Sequence, residues 1–523
     1  MTFLLKYREY IIIFFTYLLA NIFLLLNTNG IYWDDWTLIN SSHEAINSQF
    51  SQATGVFIGT IITSLHEGLL SVGNGIFIYR ILTFALYFLV IVFVFSLLKQ
   101  VKELSRRDRF WIVLLFAVAP LNSAKIALID FPFGLFLSIF FLAFYVLSIY
   151  LKKKNQFLRF LILILFFISF VINSLLVYYA LPLLYIFYIK YKDTSDTFLN
   201  KIKFFIMENI DFIVLPILFF VVKLNYFKAT GLYASYNSLG FASILKAPVG
   251  ILVSFYTSLV DPISQSFSLF YYFWIVPLFF IIFYKSKEAI EESEIENNNY
   301  MFLYLGIILY VLAVFPYAAV GKIPGLNGFD SRHQLLIPLG FTFIVYFIVK
   351  IISSKLQLKY YTREVILNFI IVAFVSQSIY SNYKYKLDWF YQVAMEEQMK
   401  ESTLIRDHST FSMDVKLHGM LANNRNISFY EHNGRLKKVF GEDSRLMLDK
   451  NKKLDSVVKY KKYKQYNFSS WRYETPIDLR VIKVAQPYSV YLKLLFYEFY
   501  DEEKFRLLAK NLIDVKEIAY VSK

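Results

Sequence analysis

The sequence predicts a polytopic α-helical membrane protein of about eleven transmembrane helices, with a C-terminal soluble domain of α/β or α+β type on the outer side. Three observations predict it. Hydrophobic residues make up 57% and aromatic residues 20% of 523 positions, with mean hydropathy +0.49, more apolar surface than a water-soluble fold of this length can hide. Apolar runs near the ~20 residues that a bilayer core requires recur as far as residue 381 and then stop. Lysine and arginine are divided unequally between alternate loops, the pattern that sets orientation in a membrane.

Taken in order, the first apolar run, 10–28, ends in Asn27-Thr28-Asn29-Gly30 without a small-residue cleavage site and reads as a retained helix. Further spans are predicted at 76–99, 110–128, 133–151, 157–173, 174–190, 209–228, 266–284, 301–319, 334–352 and 364–381. Residues 157–190 fit one long tilted helix or two short ones turning at Asn173-Ser174, and two suit the charge pattern. Between 40 and 75, Val56, Phe57, Ile58, Ile61, Ile62, Leu65, Leu69 and Leu70 recur at helical spacing in a stretch too polar to span, which predicts helices along the outer surface. The stretch 229–265 is punctuated by Gly231, Gly240, Pro248, Gly250 and Pro262 and reads as re-entrant or interfacial helix. The chain thus divides into a transmembrane domain, 1–381, and a soluble domain, 382–523. In the latter, helices are expected near 386–405 and 488–512, with strands at Ile427 to Tyr430, Leu479 to Val484 and 516–521.

One set of loops carries Lys99, Lys102, Arg106, Arg107 and Arg109, then Lys152 to Lys154 and Arg159, then Lys190, Lys192, Lys201 and Lys203, then Lys350, Lys355, Lys359 and Arg363. That side is expected to be cytoplasmic and to hold the amino terminus, while residues 28–75 contain no lysine or arginine and face outward with the soluble domain. The formal charge of +15 gives no reason to expect nucleic acid, because basic residues in a membrane protein concentrate in cytoplasmic loops and mark orientation. With no cysteine, the chain has no disulfide, thiolate metal site or thiol nucleophile.

The chemistry-bearing groups gather on the outer face. Just past the first helix, Gly30-Ile31-Tyr32-Trp33-Asp34-Asp35-Trp36 sets two adjacent carboxylates between tryptophans. Trp33 and Trp36 read as interface anchors. The aspartates read either as a solvated loop or, because adjacent carboxylates repel, as a pair with a chemical role. Asp130, ahead of Pro132, fits either a third oxygen donor for a hard divalent cation or a helix cap. In Gly325 to Gln334, Asp330, Arg332 and His333 stand at a helix start, where an arginine fork and a neighbouring imidazole suit a phosphate; interfacial snorkelling is the plainer reading. Arg80, Lys125 and Lys322 add positive charge on the same side. His43 and His66 lack metal-ligand spacing and read as surface or interfacial residues.

In layout the whole chain resembles the GT-C class of integral-membrane glycosyltransferases: a first helix, an outward loop opening with Asp34-Asp35, surface helices, a basic outer loop and a trailing soluble domain. The residues carrying the resemblance are Asp34-Asp35, Tyr79-Arg80, Asp130 and Arg332-His333. The C-terminal domain has no WWDYG-like oligosaccharyltransferase motif, which argues against protein N-glycosylation. The resemblance implies a polyprenyl-phosphate sugar donor and Asp34 or Asp35 as catalytic base or metal ligand. Arg332, His333, Arg80, Lys125 and Lys322 are then expected to meet the donor phosphate. Asp34, Asp35 and Asp130 are the expected ligands of a divalent metal, Mg or Mn. The acceptor is expected to be a cell-envelope glycan, lipid or protein at the outer face of a bacterial inner or plasma membrane. The rival readings are a polymerase or ligase of lipid-linked glycans and, from another class, a lipid or solute transporter.

Overall fold

The computed structural model describes residues 7–39, 41–192, 194–195, 197–234, 240–268, 299–414, 417, 419–441, 443–449 and 470–517. Among them, seven helices are long and apolar enough to cross a membrane: Gly75–Leu98, Leu128–Lys153, Asn173–Tyr191, Phe241–Ser268, Asn299–Ala318, Ile337–Lys355 and Tyr361–Glu401. Phe198–Glu208 and Ile210–Tyr226, bent by 64°, add an eighth if they act as one span. This is compatible with a multi-pass membrane protein.

The expected eleven spans are not all found. The run at 10–28 is a helix Arg8–Ala20 followed by the single turn Ile22–Leu25. Those at 110–128 and 157–173 form the shorter helices Arg106–Val118 and Gln156–Ser169. Apolar composition marked these segments, but helix length depends on where capping interrupts the backbone, and Ala119 leaves helical conformation ahead of Pro120. Most of the span expected at 266–284 lies outside the described residues. Conversely, the stretch read as re-entrant, 229–265, contains most of a continuous helical run, Phe241–Ser268, which absorbs Pro248 and a π-turn at Tyr256–Val260. The surface helices expected between 40 and 75 are present as His43–Thr54 and Val56–Leu70; Val56, Phe57, Ile61 and Leu65 remain exposed.

After the bundle comes a four-stranded sheet of order β2-β1-β3-β4, formed by β1 (Thr410–Met413), β2 (Leu446–Asp449), β3 (Ile477–Lys483) and β4 (Ile513–Glu517). β1 runs parallel to β2 and β3, and β4 is antiparallel to β3. The expected strand at Ile427 to Tyr430 is absent. Ser428 and Glu431 form a capping box there and start the helix Phe429–Phe440. The last strand comes earlier than expected, with 518–521 outside the described residues. The helix expected at 488–512 is broken at Asp501 into Tyr488–Tyr500 and Glu502–Lys510.

No break in helix marks the expected domain boundary at 381. One helix, Tyr360–Glu401, runs through it, so the bundle and the sheet domain share a backbone element and a continuous apolar core. Toward the basic-loop end, Arg107 pairs with Glu364, and Lys350 with Asp108, in buried contacts. At the other end, Asp388 on the long helix receives two bonds from Arg425, Nε to Oδ2 at 2.6 Å and Nη2 to Oδ1 at 2.9 Å. Arg425 Nη1 also reaches both oxygens of Glu431 at 2.8 Å. All three side chains are essentially inaccessible. An arginine at such depth is stable only while its fork is filled by paired carboxylates.

Arg425→Ala leaves Asp388 without its paired cation and Glu431 with only the more distant Arg435 at 3.7 Å, and is expected to cost on the order of 3–5 kcal/mol. Thermal unfolding in detergent should fall accordingly, with earlier proteolytic release of the sheet domain. Arg425→Lys, which cannot reproduce the fork, should recover little. Wild-type stability in both variants would remove this cluster from its clamping role.

Candidate functional site

Four segments meet where the first loop leaves the bundle. The first is the 3₁₀ turn Trp33–Thr37, which Tyr32 and Asp35 cap reciprocally. Gly30 precedes it at a point where a Cβ would fall 2.1 Å from Asn27 Oδ1 and 2.6 Å from the Tyr32 hydroxyl, so no larger residue fits without a rearrangement. Trp33 has φ +49°, a left-handed conformation that a bulky residue holds only when its surroundings impose it. Those surroundings are Phe329 and Tyr385, at ring separations of 5.3 and 5.6 Å, and the Arg425 guanidinium at 5.5 Å. Trp36 lies beneath Arg435 and Lys438. The expectation that Trp33 and Trp36 anchor the chain in the lipid interface is therefore corrected: both are buried, and the sheet domain covers them.

The second segment is 122–130 and the third is the 3₁₀ turn Phe329–Gln334, entered through Gly328 at φ +72°. The Ser331 hydroxyl accepts from Ala124 N at 2.8 Å, and Gln334 Oε1 accepts from Asn122 N at 3.0 Å, which locks these two loops together. The fourth segment, 425–440, brings Arg425, Glu431 and Arg435.

The adjacent aspartates have different positions. Asp35 is fully buried and accepts from Tyr32 N at 3.2 Å and from Ile129 N at 2.9 Å. Burial raises its carboxyl to about 6, opposed by the nearby Arg80 and by these backbone bonds. Arg80, 1% exposed, spends its guanidinium on the carbonyls of Gly30 at 2.8 Å and Asn27 at 3.4 Å. Asp35 and Arg80 thus tie the loop down, and Arg80 is not presented to a donor phosphate as expected. The Asp34 carboxylate is half-buried and makes no hydrogen bond among the described residues. Burial also raises it to about 6, with Arg332 opposing and Glu431 reinforcing the shift.

Asp130 is 4% exposed, and neither of its carboxylate oxygens has a hydrogen-bond partner. It sits at the start of the helix Phe131–Lys153 without making a side-chain cap, which decides against the helix-cap reading. Arg332, Asp34 and Asp35 are its charged neighbours. The Arg332 guanidinium lies over the Phe329 ring, 3.6 Å from its centre. His333 is packed on Tyr317, and burial, then Arg332 and Lys322, lower it to about 3, so it is neutral at physiological pH. Burial lowers Lys125 and Lys322 to about 8 each, with Arg332 adding to the shift of Lys322.

The structure thus brings Asp34, Asp130 and Arg332 within electrostatic reach of one another, with His333 and Lys322 beside Arg332. It uses Asp35 and Arg80 as supports. Among the described residues, no group of three His, Asp or Glu side chains is arranged to hold a metal ion, and Asp35 already accepts two backbone bonds. Asp34, Asp35 and Asp130 are thus not gathered as a metal-ligand group among the described residues, and no chemistry below passes through a divalent Mg or Mn. His43 pairs with Glu67 at 2.7 Å, and His66 hydrogen-bonds the Tyr79 hydroxyl, so both histidines have structural partners. Arg425 and Glu431 escaped sequence reasoning, because Asn423-Asn424-Arg425-Asn426 carries no periodicity or motif that separates a buried clamp from a polar loop.

No family model matches the chain, and no curated protein matches it in sequence.

The two aspartates should separate in stability measurements. Asp35→Ala leaves two buried N–H groups without an acceptor and should cost about 1–3 kcal/mol for each. Asp34 is held above its ordinary value, so its contribution to stability is complete below about pH 4 and is lost as pH rises through about 6. Asp34→Asn should accordingly match wild type at low pH and exceed it above pH 6 in thermal unfolding. Equal losses in the two variants would contradict the division of roles.

Proposed function

We propose that this chain is an integral-membrane glycosyltransferase of the GT-C type that moves a sugar from a polyprenyl-phosphate donor to an acceptor hydroxyl at the outer face of the membrane. The observation that carries the reading is Asp34: a carboxylate without a hydrogen bond, beside the orphaned carboxylate of Asp130 and the Arg332 guanidinium, at one end of an apolar helical bundle. The lysine and arginine asymmetry supports a cytoplasmic amino terminus. Packing of the sheet domain on the first loop supports a shared outer side for the two.

In this reading the acceptor hydroxyl oxygen attacks the anomeric carbon as the bond from that carbon to the phosphate oxygen breaks. The hydroxyl proton passes to Asp34, and polyprenyl phosphate leaves with the bonding electron pair. Arg332 meets the growing phosphate charge, with its guanidinium over the Phe329 ring. His333, being neutral, contributes a hydrogen bond and no charge. Lys322 adds a cation whenever it is protonated. A raised carboxyl suits a general base operating near neutrality, where it is ionised yet still basic.

Asp34→Asn is expected to lower transfer from a short-chain polyprenyl-phosphate sugar by on the order of 10²-fold or more. In the wild type, kcat/KM should fall as pH drops below about 6, when Asp34 takes up its proton. Near wild-type transfer by Asp34→Asn would defeat the reading. Glycan length on mutant cells distinguishes the polymerase or ligase rival: loss of one sugar supports transfer, and loss of polymer supports the rival.

Arg332→Lys keeps the charge but loses the fork, and should weaken donor binding by roughly 10- to 150-fold, the equivalent of one charge-assisted hydrogen bond. His333→Ala should do less. Titration of the purified protein with donor tests this, and equal affinity in Arg332→Lys and wild type would exclude Arg332 from the phosphate site.

A further inference from the structure

The helix Tyr488–Tyr500 in the sheet domain carries an apolar face that the described residues leave largely exposed. Tyr488 is 68% exposed, Phe496 59% and Tyr500 76%, and Leu492 and Phe499 are also exposed. At ~100° per residue, positions 488, 492, 496, 499 and 500 fall within an arc of ~120°, so this is one stripe and not scattered exposure. Ser489 and Lys493 lie on the same exposed side. The opposite side is committed to the fold: Leu494 is buried, the Tyr491 hydroxyl meets that of Tyr391 at 3.0 Å, and Glu498 makes a buried ion pair with Lys386 of the long helix. A contiguous aromatic surface on a domain otherwise rich in charge marks a contact site.

Its height along the bundle points to the occupant. Lys386, which pairs with Glu498, also donates to the Leu26 carbonyl at 2.7 Å, at the end of the first apolar segment. Tyr383 packs on Phe23 of that segment at a ring separation of 5.1 Å and stands beside Tyr488 at the head of the stripe. Tyr383 and Lys386 stand only ~3 and ~8 Å along the long helix beyond residue 381, where its apolar run ends, at a rise of ~1.5 Å per residue. The stripe therefore begins at the level where the bundle leaves its apolar zone. Tyrosine and phenylalanine with a flanking lysine are suited to the headgroup and upper acyl region of a bilayer. We propose that the helix Tyr488–Tyr500 lies in the membrane interface, with Tyr488, Leu492, Phe496, Phe499 and Tyr500 immersed in lipid, so that the sheet domain is anchored on the bilayer. This rests on the reading that the bundle crosses the membrane and is independent of the glycosyl-transfer chemistry.

The natural chain contains no cysteine, so single cysteines can be labelled without background. Full-length Leu492→Cys and Phe496→Cys, each carrying bimane and reconstituted in phosphatidylcholine–phosphatidylglycerol vesicles, should be quenched severalfold more by lipid-borne nitroxide than Glu503→Cys on the following helix. Aqueous iodide should show the reverse order. Leu89→Cys, on the exposed face of Gly75–Leu98, reports whether the bundle itself is in lipid. Lipid quenching at Leu89→Cys with iodide access and no lipid quenching at 492 and 496 would overturn the anchoring while leaving the membrane reading intact. Absence of lipid quenching at all three would overturn both. Protection at 492 and 496 that vanishes on dilution of the protein in the vesicles would overturn the proposal in favour of a second copy of the chain.

Discussion

The buried Asp388–Arg425–Glu431 cluster is the constraint on which the rest of the functional end depends. Arg425 is the only member that touches the long helix, the sheet domain's first turn of helix and the aromatic first loop together, bonding Asp388 and Glu431 and facing Tyr32 and Trp33. A guanidinium stripped of water needs its carboxylates in a fixed plane, so the fork transmits a defined geometry and not merely attraction. The Asp388 carboxylate also accepts from Ala422 N at 2.8 Å, which fixes the chain entering this region. With the sheet domain held in that position, Trp33 is enclosed on several sides and keeps its left-handed backbone.

Two neighbouring carboxylates need not do the same work. In a 3₁₀ turn, consecutive side chains diverge by about a third of a turn, so Asp34 and Asp35 face different surroundings. Asp35 turns inward to the backbone N–H groups of Tyr32 and Ile129, and Arg80 balances its charge at a distance. Asp34 turns toward Arg332 and the Glu431 edge of the clamp. Repulsion among Asp34, Asp35 and Asp130 is offset by Arg332 and by Arg80, which supports the loop.

The two ends of the bundle are held by different means. At the basic-loop end, paired charges such as Arg107–Glu364 and Lys350–Asp108 join helices to one another directly. At the site end, helices end in loops, and the loops are joined through Ser331 and Gln334 to 122–124 and through Arg425 to the sheet domain. Rigidity where the chemistry is proposed therefore comes from hydrogen bonds between loops, each dependent on a tertiary neighbour.

What the sequence determines by itself is what local composition and spacing control. Apolar runs near bilayer length identify the helices Gly75–Leu98 and Ile337–Lys355, long and apolar enough to span, and the apolar spacing at 56–70 identifies the shorter helix Val56–Leu70. Asp34 and Asp35 as a pair, Asp130, Arg332 and His333 stand out because charge beside an apolar bundle is costly and rarely idle. Several things had to wait for tertiary structure. Arg106–Val118 and Gln156–Ser169 stop short of span length, Tyr360–Glu401 passes the composition change at 381 without a break, and 427–430 opens a helix instead of a strand. Only the fold separates Asp34 from Asp35, turns Arg80 to backbone carbonyls and places Arg425 over Trp33. The physical reason is one of range: apolar periodicity acts over a few turns of chain, whereas the role of a buried charge is set by its partners. Those partners here lie 94 residues apart for Asp35 and Ile129, and 37 for Asp388 and Arg425.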